Sequence, residues 1–212
     1  MTPDEIVSYA KQNYNATGDD FFSDDELYKH IWQAESILAR ECNAIEDTYA
    51  TTTVADQQEY TFPTDALAIK AASYDGRDLR RINFKDFKRL YMENPTASGI
   101  PVAFSQFNRT LYLGPTPSDA LDLELWTFNK PAEVTSTSSL DVDEEFHLGI
   151  VNFLLWRMAL KDQNFQLAAE YKALWDEEKQ RCLSWSRKKL TAAGYNFVVD
   201  EDSLQMAWLG LP

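Results

Sequence analysis

Cysteine is nearly missing from this chain. Cys42 and Cys182 stand alone, 140 positions apart, so no disulfide framework is expected and two isolated thiols in a reducing compartment are. Histidine is as scarce. His30 and His147 each fall inside a predicted helix with no second His or Cys at ligand spacing, which leaves no zinc pattern and predicts two helix-face residues. The seven glycines sit at turns and ends. None belongs to a phosphate-cradling loop or a G-x-S-x-G elbow, and no Cys–His pairing is present. No apolar run reaches about 18 residues, so no membrane span is expected. Met1-Thr2-Pro3-Asp4-Glu5 is acidic and lacks the apolar centre of a secretory signal. Positive charge is also short, 20 Lys and Arg against 34 Asp and Glu, for a formal net charge of −14. That balance argues against a sequence-independent grip on phosphate. The carboxylates either keep the chain soluble or form a wall that repels a duplex and lets it slide.

What the chain does have is apolar bulk, 44% hydrophobic and 13% aromatic, enough for a core in 212 residues. The organising stretch is Leu140 to Ala192, two helices in series. The first opens at Asp143, with Glu144 and Glu145 where carboxylates complement a helix N-terminus, and carries Phe146, Ile150, Phe153, Leu154 and Met158 on one face. Asp162-Gln163-Asn164 interrupts it, and Phe165, Leu167, Ala168, Tyr171, Leu174, Trp175, Leu183 and Trp185 follow. Upstream, Thr2-Pro3-Asp4-Glu5 is a capping box for a helix to about Asn13, and Ser23-Asp24-Asp25-Glu26 reads as a second. The long helix after it has the stripe Leu27, Ile31, Ala34, Leu38, Cys42 (or Glu41), Ile45 and Tyr49. Neither C-terminal helix hides its large side chains alone, so the helices are expected to pack together or on a neighbouring subunit.

From Tyr49 the period changes to that of strands. Ala50 to Val54 is β-branched, and Glu59 to Pro63 is short and extended. Leu67 to Tyr74 reaches Asp75-Gly76, the strongest hairpin signal, and Arg77 to Ile82 returns. Asn83 caps a short helix, Phe84 to Met92. Val102 to Phe107 and Thr110 to Leu113 form a second hairpin across Asn108-Arg109. Leu121, Leu123, Leu125 and Thr127 then alternate with Asp122, Glu124, Trp126 and Phe128, a period-two strand. The expected fold is α+β: an α-helical bundle formed by the N- and C-terminal helices, with an inserted antiparallel β module of roughly six strands and an extended C-terminal tail. The expected boundaries are 1–49 and 140–193 for the bundle, 50–139 for the inserted module and 194–212 for the tail. Two independent domains are the alternative.

No catalytic constellation stands out. Asp19-Asp20 with Asp24-Asp25-Glu26 lacks the glycine and register of a calcium loop, and capping explains it better. Asp143, Glu144 and Glu145 read as helix-start residues. Trp126, Trp156, Trp175 and Trp185 read as core or interface. In the tail, Tyr195, Phe197, Val198, Val199, Met206, Trp208, Leu209 and Leu211 surround Asp200-Glu201-Asp202. Trp208 suits a partner's pocket, or the tail folds back on its own subunit. The one basic cluster, Arg77, Arg80, Arg81, Lys85, Lys88 and Arg89, is interleaved with Leu79, Ile82, Phe84 and Phe87, so it reads as the wet side of a strand and helix or as a contact for acidic neighbours.

The order of several stretches resembles a known family. Gln58-Glu59-Tyr60-Thr61-Phe62-Pro63 with Asp65-Ala66-Leu67, Tyr74-Asp75-Gly76-Arg77-Asp78-Leu79, Gly99-Ile100-Pro101-Val102-Ala103-Phe104 and Leu111-Tyr112-Leu113-Gly114-Pro115-Thr116-Pro117 come first. Leu123-Glu124-Leu125-Trp126, Asn129-Lys130-Pro131-Ala132-Glu133-Val134 and Glu144-Glu145-Phe146-His147 complete it. Over roughly residues 50–160 this is similar to tailed-bacteriophage head-to-tail adaptor (connector) proteins. The resemblance implies a structural virion protein at the neck, assembled in the host cytoplasm, with no enzymatic activity and no cofactor. It implies a homo-oligomeric ring, usually of twelve copies, that binds below the portal protein, extends the channel for double-stranded DNA and offers a platform to tail or nozzle proteins. Twelve copies at −14 each carry −168, part of which would face the lumen and keep DNA from adhering. By the same resemblance the tail residues Tyr195, Phe197, Val198, Val199, Trp208, Leu209 and Leu211 would grip the portal or a neighbouring subunit. Asp75, Gly76, Asn108 and Arg109 would meet tail proteins. The rivals are a stopper or tail-terminator of the same neck, a DNA-binding packaging factor and, more distantly, a small virion hydrolase.

Overall fold

A computed structural model describes residues 1–93 and 98–192. Its described elements in chain order are α1 (Pro3–Asn13), α2 (Asp24–Cys42), β1 (Glu46–Thr52), β2 (Glu59–Thr61), β3 (Ala66–Tyr74), β4 (Arg77–Asp78) and β5 (Arg80–Arg81). Then come α3 (Phe84–Phe87), continued by a π-helical turn (Lys88–Met92), β6 (Ala103–Phe107), β7 (Thr110–Gly114) and β8 (Asp122–Asn129). A 3-10 turn (Glu144–Phe146), α4 (His147–Lys161) and α5 (Phe165–Ala192) finish it. The described chain divides into two compact units, one of residues 1–44 and 133–192, the other Ile45–Ala132. The fold is therefore α+β, with the strands inserted between the two halves of a helical bundle.

In the helical unit, α1, α2 and α5 all pack against α4, whose central residues Ile150, Val151, Leu154 and Ala159 are fully buried. Thr2 caps α1 as the sequence predicts: its hydroxyl accepts the Glu5 N–H at 3.3 Å and the Glu5 carboxylate accepts the Thr2 N–H at 2.9 Å. The second expected box does not form. Ser23 makes no side-chain cap, and the Glu26 carboxylate instead pairs with the Lys161 ammonium at the end of α4, a charge–charge bond in place of one to a backbone N–H. The long helix is also shorter than its stripe suggests. It ends at Cys42 because Asn43 turns left-handed, φ 51°, a conformation asparagine tolerates. Ile45 and Tyr49 continue the spacing by coincidence, and Tyr49 lies in β1.

The β unit is a sandwich of two four-stranded sheets, ordered β1-β8-β3-β4 and β2-β7-β6-β5. Between them lie Tyr60, Phe62, Ile69, Tyr74, Phe104, Leu111, Leu113, Leu123 and Leu125. Pairing is antiparallel except between β5 and β6, which run parallel. The single returning strand expected over 77–82 is two, because the chain crosses between sheets at Leu79. That side chain is buried in the core, while its N–H donates to Ala72 O in one sheet and the next N–H, of Arg80, to Val102 O in the other. Phe128, on the alternate face of β8 from Leu125, is nonetheless buried, with the Lys70 ammonium 6.0 Å from its ring.

Helix α3 and its π turn cover the outer face of the second sheet. Phe84 stacks on Phe107 with centroids 4.4 Å apart, and Phe87 and Tyr91 close over Gly114. A Cβ at Gly114 would lie 2.6 Å from the Tyr91 ring and 2.9 Å from that of Phe87. Gly114→Ala is therefore expected to cost about 2 kcal/mol, the usual scale of overpacking, and to lower the melting temperature by about 4–8 °C. Urea unfolding at unchanged m-value checks this, and an unaltered midpoint would mean that Tyr91 swings aside without loss.

Candidate functional site

The four loop residues that sequence reasoning marks for contact sit at two hairpin tips. Asp75 and Gly76 have φ of 49° and 71°, the left-handed pair that a two-residue turn requires, and a Cβ on Gly76 would meet nothing, so geometry alone selects glycine. Asp75 N–H donates to Asp122 O at 2.8 Å and fixes the tip against the start of β8. At the other tip Asn108 takes φ 55°. Arg109 folds back: one guanidinium nitrogen donates to Pro63 O at 2.8 Å and Thr64 O at 3.0 Å, and the group lies 5.3 Å from the Phe62 ring. All four residues are exposed.

These tips do not converge. Arg109 is tied to the loop before β3, whereas Asp75 follows its last residue, and β3 is nine residues long. At about 3.3 Å per residue the two lie roughly 26 Å apart or more, on opposite ends of the sandwich. The Arg109 end is where the chain enters at Ile45 and leaves by Ala132, since Glu46 and Ala66 pair with Phe128 and Asn129 there. The tail candidates Tyr195, Phe197, Val198, Val199, Trp208, Leu209 and Leu211 lie outside the described residues.

The basic cluster is dispersed into local contacts. Arg81 donates to Ile69 O at 3.1 Å, Lys88 pairs with Glu93 at 3.7 Å and Arg89 with Asp86 at 3.3 Å. The acidic start of the chain lines a groove of about 550 Å³ between α1, α2 and their connection. There Lys11 meets Asp24 at 2.6 Å, Asp19 accepts the Phe21 N–H at 2.8 Å, and the Tyr28 hydroxyl donates to Asp4. That last bond, with burial, pushes the Tyr28 phenol up to about 12. Among the described residues no three His, Cys, Asp or Glu side chains are placed to hold a metal ion, and no helix is long and apolar enough to cross a membrane.

The helical unit holds two arrangements that sequence reasoning missed. Glu35, 1% exposed, accepts the N–H of Asp141 at 2.8 Å and of Val142 at 3.3 Å, so a carboxylate on α2 holds the approach to α4. Burial raises its pKa to about 7 against the pull of those two bonds. The signal was available: Ile31, Glu35, Leu38 and Cys42 are spaced four, three and four, which sets an acid inside the buried stripe. Beside it, His147 Nε2–H donates to Val142 O at 3.0 Å, leaving Nδ1 as acceptor toward the Met1 ammonium at 3.0 Å. Burial holds this imidazole below the usual histidine range. The second arrangement is the pair of thiols. Cys42 and Cys182 are not isolated but interact with each other, both buried and both free, and Cys42 donates to Lys179 O at 3.6 Å. The neighbouring Cys42 and burial push the Cys182 thiol up, so it is held protonated.

Compared with known proteins, residues 1–193 match the model of one family, described as SU10 adaptor protein. No curated protein matches the chain.

Proposed function

The chain belongs to the SU10 adaptor protein family, a family of phage structural adaptors, and from that premise we propose that its copies form a ring at the virion neck, beneath the portal. The ring lengthens the DNA channel and presents a platform on which tail or nozzle proteins assemble. The observation that carries this is the extent of the family match, which spans both the bundle and the inserted sandwich. Three features support it. The formal charge of −14 per copy suits a lumen that double-stranded DNA traverses without sequence-specific binding. Large apolar side chains remain exposed on the helical unit, Trp32, Leu148, Phe165 and Leu174 among them, as expected of a surface that neighbours cover. The inserted unit ends in the exposed Asp75-Gly76 turn, opposite its chain crossings, which suits it to meet tail proteins. Residues 194–212 supply the grip on the portal or on the next copy. Assembly takes place in the host cytoplasm.

Native mass measurement, alone and with the portal protein, tests the reading. A discrete complex of about twelve copies on the portal is expected from the resemblance to tailed-bacteriophage adaptors. A chain that stays monomeric under both conditions overturns it.

A further inference from the structure

Strand β1, seven residues long, is one edge of its sheet. Six of its residues are exposed and the seventh half-buried, so neither of its faces is covered. Its pairing with β8 is regular, from Glu46 opposite Phe128 to Thr52 opposite Asp122. Two flanking bonds show which way its peptide groups point. Asn129 N–H donates to Ile45 O at 3.0 Å and Thr53 N–H to Leu121 O at 2.9 Å. Hydrogen-bonded pairs in an antiparallel ladder alternate, so Asp47, Tyr49 and Thr51 turn their peptide groups to β8. Glu46, Thr48, Ala50 and Thr52 turn theirs outward. The Asp47 carboxylate accepts the Thr48 N–H at 2.7 Å, in keeping with that direction.

Proteins blunt such an edge with lysine, proline, a bulge or brevity. β1 has no lysine, no proline and no register shift. The other sheet edges use brevity, with two residues in β4, two in β5 and three in β2. Only the acids Glu46 and Asp47 guard one end of β1, and Thr48–Thr52 is uncharged and rich in β-branched side chains. We infer that β1 accepts an added strand, and that its occupant is the segment Tyr195–Val199 of a second copy of this chain. The inference rests on the ring-forming adaptor reading and names the surface on which that reading's tail would act.

Length selects the occupant. The longest of the other three sheet edges is β2, with three residues, so none of them matches seven. Beyond α5 the chain runs on to Pro212, and Tyr195-Asn196-Phe197-Val198-Val199 is its aromatic and β-branched stretch. Residues 193–199 extended at about 3.3 Å each span roughly 23 Å, enough to leave one subunit for the next. Charge selects the direction. With Val198 opposite Ala50, an antiparallel strand would lay Asp200-Glu201-Asp202 along Thr48-Asp47-Glu46. A parallel strand sets Asp200 beside the uncharged Thr52 and carries Glu201 and Asp202 beyond it, with Gly194 and Tyr195 beside Glu46 and Asp47, so parallel addition is the arrangement.

The test mixes full-length Ala50→Cys with full-length Val198→Cys, alone at high concentration and with portal protein, under mild copper–phenanthroline oxidation. A disulfide-linked heterodimer is expected from the mixture at least tenfold above either protein by itself. Wild type, whose own two thiols are buried, controls for background. Asp200→Cys should link to Thr52→Cys and not to Thr48→Cys, and the reverse preference overturns the parallel arrangement. Ala50→Pro removes one outward N–H and leaves the β8 ladder intact. It should lower assembly at least tenfold at nearly unchanged melting temperature. No heterodimer under either condition, or linkage only within one chain carrying both cysteines, overturns the inference. If removal of 194–212 still blocks attachment in that case, the adaptor reading stands and the tail's acceptor lies on the portal.

Discussion

A chain cut after residue 193 is expected to fold normally and to lose attachment to the portal altogether. Among the described residues the buried hydrophobic side chains run from Ile6 to Cys182, and the tail is expected to leave its own subunit, so the melting temperature should move by no more than about 2 °C. Attachment is different. The removed stretch carries Tyr195, Phe197, Val198, Val199, Met206, Trp208, Leu209 and Leu211 after the charged run Arg187-Lys188-Lys189. Burying one such side chain contributes about 1.5–3 kcal/mol, against about 1–2 kcal/mol to order each residue that carries it. One copy therefore gains modestly. In the proposed ring that gain would be multiplied, because once one tail is seated the others bind at high effective concentration. Removing every tail at once removes that multiplication, so the loss should exceed a hundredfold. Trp208→Ala alone should cost about 2 kcal/mol per copy if it fills a pocket. Co-sedimentation with portal protein, beside circular dichroism of the truncated chain, separates the two effects. Normal attachment by the truncated chain would remove the tail from the account.

The helices were legible because two independent signals agree in each, an apolar period and an end signal. Thr2 with Glu5 opens α1, Asn83 caps α3, and Asp162-Gln163-Asn164 separates α4 from α5 where the period also breaks. Where only one signal was present the reading slipped. Ile45 and Tyr49 satisfy the helical period after Cys42, yet the left-handed Asn43 ends the helix and pairing with β8 takes over. Leu79 sits in an apparently continuous strand, and nothing local says that the residues on its two sides join different sheets. That choice depends on Ala72 and Val102, distant in sequence.

The candidate contact residues were legible as turns and not as a place. Asp75-Gly76 announces a positive-φ turn by composition alone, but that Arg109 lies at the far end of the same sandwich follows from strand pairing. The exposed edge of β1 was hidden for a related reason. A strand's period tells which face is buried, and edge position belongs to the order of strands in the sheet. Cys42 and Cys182 show the same limit among helices, since two thiols on well-spaced segments meet only because α2 and α5 pack together.

Glu35→Gln is expected to make the protein more stable at pH 8 and no different at pH 5. The folded-state pKa of Glu35 is about 7, above its ordinary value of 4.5, so between those limits the folded chain holds a proton that the unfolded chain has released. Stability from this group is therefore fully present below about pH 4.5 and is lost as pH rises toward 7. At 1.36 kcal/mol per unit the loss is on the order of 3 kcal/mol, large for one side chain. His30 and His147 work in the opposite direction, both lowered chiefly by burial, and their contribution is lost as pH falls below about 6.5. The histidines thus oppose the Glu35 decline as pH approaches about 6.5 from below, and the decline due to Glu35 is read as the difference between wild type and the Gln variant, in which the histidine contributions cancel. Glutamine keeps an oxygen for the Asp141 and Val142 N–H groups and carries no charge to bury, so the variant should lack that decline. Glu35→Ala separates charge from hydrogen bonding: it strands both N–H groups and should be weaker than wild type by about 1–3 kcal/mol at pH 5. Urea midpoints for the three proteins from pH 5 to 8 decide the matter. A Gln variant weaker than wild type at pH 8 would mean that the ionised carboxylate, held by two backbone donors, is worth more than its burial costs.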